Sequence, residues 1–182
     1  MSVFSNTSKD PGELRAQYAP AVLGLIGGRN PVEVLGETPA AAAQAIAALS
    51  PEQLRRPESE GKWSIAQVLR HLADTDVVWG WRMRLILAQD RPAITGFDQD
   101  LWAEHLGYAD ADPGESLDTF TVLRRDNLRL IERATPADLQ RVGVHAERGE
   151  ESVGYLIRLY AGHDLMHLNQ IARVREFVEF KR

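Results

Sequence analysis

The chain contains no cysteine. This excludes disulfides, thiolate metal ligands and a cysteine nucleophile. Any thiol chemistry would need a thiol brought in by a small molecule. Positive charge is in deficit: 21 Lys and Arg stand against 26 Asp and Glu, a formal net charge of -5. No basic run stands out, so nucleic-acid binding through a basic face is not expected. No apolar run approaches the ~20 residues that span a bilayer. Met1 to Asp10 are polar and lack an apolar signal core. The expectation is a soluble cytoplasmic protein with no membrane or nucleic-acid partner. Histidine is also scarce, with five in 182 residues, so the place of each carries information.

What is present is concentrated near the C-terminus, in Gly162-His163-Asp164-Leu165-Met166-His167-Leu168-Asn169-Gln170-Ile171. Apolar residues recur at helical spacing at Val153, Leu156, Tyr160, Ile171, Val174 and Val178, and His163 and His167 fill the gap in that stripe. Side chains four residues apart on a helix share a face, one turn apart. Two such imidazoles can close on one metal ion at about 2.0–2.1 Å from each nitrogen. Both rings should face the interior, where an imidazole needs a partner. A metal is one partner; hydrogen bonds within the core are the other reading. Asp164 falls in the same apolar stripe, and three polar side chains in one seam resemble a site more than a packing error.

The rest of the chain reads as helices. Residues 1–30 form an N-terminal arm with one short helix within Glu13 to Ile26, broken by Pro20, Gly24 and Gly27-Gly28. Pro31 to Glu37 reads as loop. Residues 31–182 then hold four long helices. The first, rich in alanine, spans about Pro39 to Leu49. Ser50 to Gln53 and Ser64 to Gln67 are helix starts with capping-box spacing. The second helix runs from Ile65 to about Gln89, with His71 about 100° from the centre of its apolar stripe, at an edge. Residues 90–115 show no sustained period, and so long a connection is often functional. It can travel back along the second helix, making helices two and three parallel. Phe97, Trp102 and Tyr108 can cover a pocket from this segment or merely anchor it. The third helix spans Ser116 to Ala134. Val142 to Glu151 reads as a charged loop, and Ser152 caps a fourth helix reaching Phe180. The expected fold is all-α: a four-helix bundle with a long crossover between helices two and three. His105 and His145 show no partner pattern.

Three stretches carry a family resemblance. Gly61-Lys62-Trp63-Ser64-Ile65-Ala66-Gln67-Val68-Leu69-Arg70-His71-Leu72-Ala73-Asp74 and Tyr160 to Ile171 resemble the DinB superfamily. Arg91-Pro92-Ala93-Ile94 with Phe97-Asp98-Gln99-Asp100-Leu101-Trp102-Ala103 is similar to its YfiT branch, which includes bacillithiol transferases. The resemblance implies the four-helix bundle with one crossover. It also implies a divalent metal, zinc or nickel, held by one histidine of helix two and two of helix four. Carried over, the ligands are His71, His163 and His167. The periodicity alone left His71 at a helix edge. Three imidazoles and an open position describe a catalytic site.

The implied activity is transfer of a low-molecular-weight thiol, bacillithiol-like, to a small electrophile. Metal-dependent hydrolysis of a small amide or ester is the alternative, and a metal-binding stress-response bundle without catalysis is another. Asp164 is the candidate base, or else it orients an imidazole. Gln170 and Gln67 are candidates to orient the ligands; Gln67 also fits a capping role. Arg82 is placed to hold an anionic substrate group, or is a solvated helix charge, and Trp102 is a candidate pocket wall. The expected partner is a small molecule. A homodimer is compatible with the pattern, with no interface named.

Overall fold

The computed structural model describes residues 11–146 and 148–180. Four long helices form the bundle: α2 (Pro31–Ile46), α4 (Ile65–Ala88), α6 (Pro113–Glu132) and α8 (Val153–Phe180). A further helix, α1 (Pro11–Ile26), lies along α8. Short helices α3 (Pro51–Arg55), α5 (Gln99–His105) and α7 (Pro136–Leu139) fill the connections.

Local chemistry sets the starts. Ser50, Ser64 and Thr135 each close a capping box with the residue three positions on. Ser152 Oγ accepts from Tyr155 N at 3.1 Å and caps α8. Pairs along the helices give their directions. Asp76 meets Arg124 and Arg84 meets Asp126, so α4 and α6 run parallel. His71 meets His163 while Arg82, further along α4, meets Tyr160, so α4 and α8 run antiparallel. The parallel pair requires the long crossover, which the sequence pattern anticipates.

Two helices differ from expectation. The first bundle helix, α2, begins at Pro31, where Asn30 Oδ1 accepts from Val32 N at 3.0 Å, and Pro39 lies inside it. Residues 31–37 are therefore helix, not loop. A proline inside a helix leaves the carbonyl four residues back without its donor. Here that carbonyl, Leu35 O, accepts from Arg124 Nη1 at 2.8 Å. Similarly, Pro20 and Gly24 do not break α1. Val22 and Ile26 are fully buried, and tertiary packing outweighs the local signals. The approach to α8 is close: a Cβ on Gly162 would lie 2.1 Å from the Val22 carbonyl oxygen.

The stretch read as a charged loop is a hairpin. β2 (Val142–His145) pairs antiparallel with β3 (Gly149–Ser152) and parallel with β1 (Ala93–Ile94) from the crossover. The strand sits on the bundle because Gly143 has no side chain; a Cβ there would lie 2.9 Å from Ile86 Cγ1. Arg141 donates to the carbonyls of Ile86 and Gln89 and so satisfies the exposed end of α4. Two apolar clusters fill the bundle. One holds Trp79, Met83, Ile86, Leu156 and Ile157; the other holds Ile65, Leu69, Phe120, Ile171 and Val174. The polar groups of α4 and α8 lie between them.

Candidate metal centre

His71 of α4 and His163 and His167 of α8 come together between the two apolar clusters. His71 Nε2 lies 3.1 Å from His163 Nε2, and His167 Nε2 lies 3.1 Å from the same atom. One ligand atom from each ring lies within 4.8 Å of the others. Two nitrogens bound at about 2.05 Å to one tetrahedral ion sit roughly 3.3 Å apart, so the spacing fits a metal. No carboxylate joins the three imidazoles in this group among the described residues.

Protonation fits as well. Burial, then the neighbouring His167 and His163, hold His71 well below the ordinary imidazole range. Burial, then His163, pushes His167 down to about 3, against a smaller opposing effect of Gln170. Neutral rings are the ligand form. The His167 tautomer is set: Nδ1–H donates to Gln170 Oε1 at 2.8 Å, leaving the Nε2 lone pair for the centre. The Nδ1 atoms of His71 and His163 are buried and have no hydrogen-bond partner in the structure. Three ring nitrogens facing one another cannot all be satisfied by one another's protons. A cation between them resolves this.

The sequence candidates separate on this frame. Gln170 is buried and on His167, as the spacing allowed. Gln67 closes the capping box, with Ser64 N donating to its Oε1 at 2.9 Å. Asp164 is buried and turned to Arg124: Nη1 donates to Oδ2 at 2.5 Å and Nη2 to Oδ1 at 3.1 Å. Its nearer oxygen lies 3.9 Å from His163 Nδ1, beyond hydrogen-bond reach. Burial alone would raise the Asp164 carboxyl; Arg124 and the adjacent His163 together outweigh burial and hold the group below the usual range. Arg82 is buried rather than a solvated helix charge, because Tyr160 Oη and the Thr95 carbonyl accept from it at 2.9 and 2.5 Å. Trp102 is half-buried, its ring 4.7 Å from Phe97.

The walls around the imidazoles include Tyr108, which the sequence reading placed among crossover aromatics able to cover a pocket, and Trp63, Tyr160 and Thr75, which it did not assign to the centre. The Trp63 ring lies 4.9 Å from His71, and Tyr108 of the crossover lies 6.1 Å from Trp63. Tyr160, one turn before His163, lies 6.2 Å from it. Thr75, one turn after His71, places Oγ1 3.4 Å from His71 Nε2. For Tyr160 and Thr75, one-turn spacing from a ligand was an available signal; for Trp63, which precedes the helix, periodicity gave none, and only the resembling stretch that contains it pointed there.

Comparison with known proteins agrees with this geometry. The chain is 30% identical over 146 residues to the Bacillus subtilis protein YfiT, provisionally named a metal-dependent hydrolase, covering 78% of this chain and 82% of YfiT. A protein of Geobacillus thermodenitrificans with the same provisional name is 32% identical over 147 residues, covering 80% and 82%. The solved YfiT structure, described as a four-helix bundle of unusual topology, superposes with a TM-score of 0.75 at 25% identity, over 93% of this chain and 90% of that one. A sequence model of the DinB superfamily matches residues 35–171, a span that contains all three histidines. The match spans most of the bundle, and the chain belongs to the DinB superfamily.

Proposed function

We propose that the protein is a metal-dependent enzyme that transfers a small thiol to an electrophilic small molecule. The observation that carries this reading is the convergence of three buried imidazoles on one point. His71, His163 and His167 would hold a divalent ion, with zinc or nickel the expected choices for an imidazole set. When bound, the ion supplies a Lewis acid that lowers the pKa of a nucleophile at an open position. The protein's own groups do the rest. Gln170 fixes the His167 ring. Arg124 keeps Asp164 ionised beside His163. Trp63, Tyr108 and Tyr160 supply apolar walls.

A thiol is favoured over water by what surrounds the centre. Asp164, adjacent to His163 in sequence, has both oxygens on Arg124, which helps hold its pKa below the ordinary carboxylate range and makes it a weak base toward water. A thiol, with an ordinary pKa of about 8.5, needs far less acidification than water. The thiol proton would leave to solvent, the sulfur would form a bond to carbon, and the leaving group would depart with its electron pair. Hydrolysis is the second reading, favoured by the names of the relatives.

The test supplies zinc or nickel to purified protein and follows an aromatic chloride with and without an added thiol, alongside a nitrophenyl ester in thiol-free buffer. Chloride consumption that requires both metal and thiol is the expected result. Ester turnover in thiol-free buffer with no thiol-dependent reaction would replace transfer with hydrolysis. Metal content is measured in parallel on His71→Ala, His163→Ala and His167→Ala, each expected to lose the ion.

A further inference from the structure

Arg82 carries a charge into the bundle with no carboxylate paired to it among the described residues. The residue is 6% exposed. Two of its five N–H groups are used, on Tyr160 Oη and the Thr95 carbonyl, and both acceptors are neutral. Nε is buried and has no hydrogen-bond partner. Among the described residues no Asp or Glu pairs with it. The contrast with its neighbours is direct. Arg124, as deeply buried, has Asp76 and Asp164, and Arg148 has Glu151. A buried arginine is normally paired, because an uncompensated charge in the interior is costly.

The position of Arg82 connects this charge to the metal centre. His71 and Arg82 are eleven residues apart on α4, three turns and about 20° of rotation, so they share a face about 16 Å apart along the axis. Antiparallel α8 brings His163 and Tyr160 against that face. The Tyr160 ring lies 6.2 Å from the His163 ring and its hydroxyl accepts from Arg82. Long side chains on a helix tend to lean toward its N-terminus, and His71 lies on that side of Arg82 along α4. Exposure marks the same side: His71 and His167 are 1% and 0% exposed, whereas His163, Tyr160 and Arg82 keep 7%, 6% and 6%. Imidazole binds a metal in its neutral form, so a divalent ion held by the three would keep its full charge. With an ion bound, the metal and the guanidinium would place two positive charges along this face of α4.

We infer that Arg82 receives a carboxylate borne by the small molecule whose other end occupies the metal centre. This rests on the metal-centre reading above and names the substrate class it takes: a compound with a metal-binding head and a carboxylate several bonds away. Tyr160 holds the guanidinium in place, and the unpartnered Nε–H edge is the docking point.

The test uses cobalt-loaded full-length protein and its visible absorption, titrated with acetate and with dicarboxylates of four to eight carbons. Wild type should bind one chain length at least tenfold more tightly than acetate. Arg82→Gln should lose that advantage while acetate binding and cobalt content stay unchanged. Arg82→Lys, which keeps the charge, should retain part of it. No preference of wild type for any dicarboxylate over acetate would overturn the inference, as would a preference that survives in Arg82→Gln. Failure of the metal-centre reading is separate: wild type would then take up no cobalt. In that event the carboxylate site is read from the melting temperature of metal-free protein in glutarate, where a rise in wild type and none in Arg82→Gln supports it, and equal behaviour refutes it.

Discussion

His167 is the residue around which the centre is most tightly arranged. It is fully buried, and its Nδ1–H is held by Gln170. Replacing Gln170 by alanine removes the acceptor that fixes the tautomer and ring angle. Loss of such a partner typically costs 10–100-fold in metal affinity, and competition with a chromogenic chelator should show a weakening of that order for Gln170→Ala, with the fold retained by circular dichroism. The pH response follows from the same ring. Its folded pKa is depressed to about 3, against about 6.5 in the unfolded chain. Below pH 6.5 the unfolded chain takes up a proton that the folded chain does not, so stability is full above that value and is lost as pH falls toward 3. Metal-free protein should therefore melt at progressively lower temperature from pH 7 to pH 4.5, and His167→Gln should show a shallower decline. Both α8 ligands were legible from one-turn spacing within an apolar stripe. His71 was not legible from periodicity, because its burial comes from outside its helix: Trp63 before the helix and Tyr108 across the crossover enclose an edge that the pattern leaves open.

The four bundle helices meet at one buried polar cluster, which no helix-by-helix pattern reveals. Arg124 of α6 binds Asp76 of α4, Asp164 of α8 and the carbonyl of Leu35 in α2. Asn127 adds bonds to the Asp76 side chain and carbonyl. The cluster explains how α2 tolerates Pro39, since the carbonyl that proline leaves unbonded is the one Arg124 takes. In sequence, Arg124 is one charge among several on an amphipathic helix; only the parallel arrangement of α4 and α6 turns it inward to Asp76. Arg124→Met would leave two buried carboxylates uncompensated, at a cost of about 3–5 kcal/mol. Urea denaturation should show a loss of that size, and adding Asp76→Asn and Asp164→Asn to the same chain should recover much of it. Recovery separates a charge-balance role from simple loss of packing. The hairpin was illegible at this scale for another reason. Its strands are four residues each, and Gly143 interrupts the apolar alternation at the position where close packing on Ile86 demands a glycine.

At the scale of the molecule, the apolar clusters on either side of the histidines decide what the metal contributes to stability. Both are built from helix faces that meet without it. Trp79, Met83, Ile86 and Leu156 close one side, and Leu69, Phe120, Ile171 and Val174 the other. The plan of the bundle was readable because these stripes are long, because the pattern-free stretch between the second and third helices was long enough for a crossover, and because the family resemblance implied one. The packing of α1 was not readable, since it depends on contact with Gly162 rather than on any feature of residues 11–26. A core of this kind should stay folded when the ion is removed. Binding to the folded state alone stabilises by about 2.7 kcal/mol when free metal is a hundred times its dissociation constant. For a chain of this length each kcal/mol shifts the melting temperature by about 2–4 °C. Chelation should therefore lower the melting temperature by about 5–11 °C, with one cooperative transition and the helical signal intact at 25 °C. A chelated protein that has lost its helical signal at 25 °C would show that the ion is structural. The three histidines would then hold the two halves of the core together, and the catalytic reading of the centre would fall.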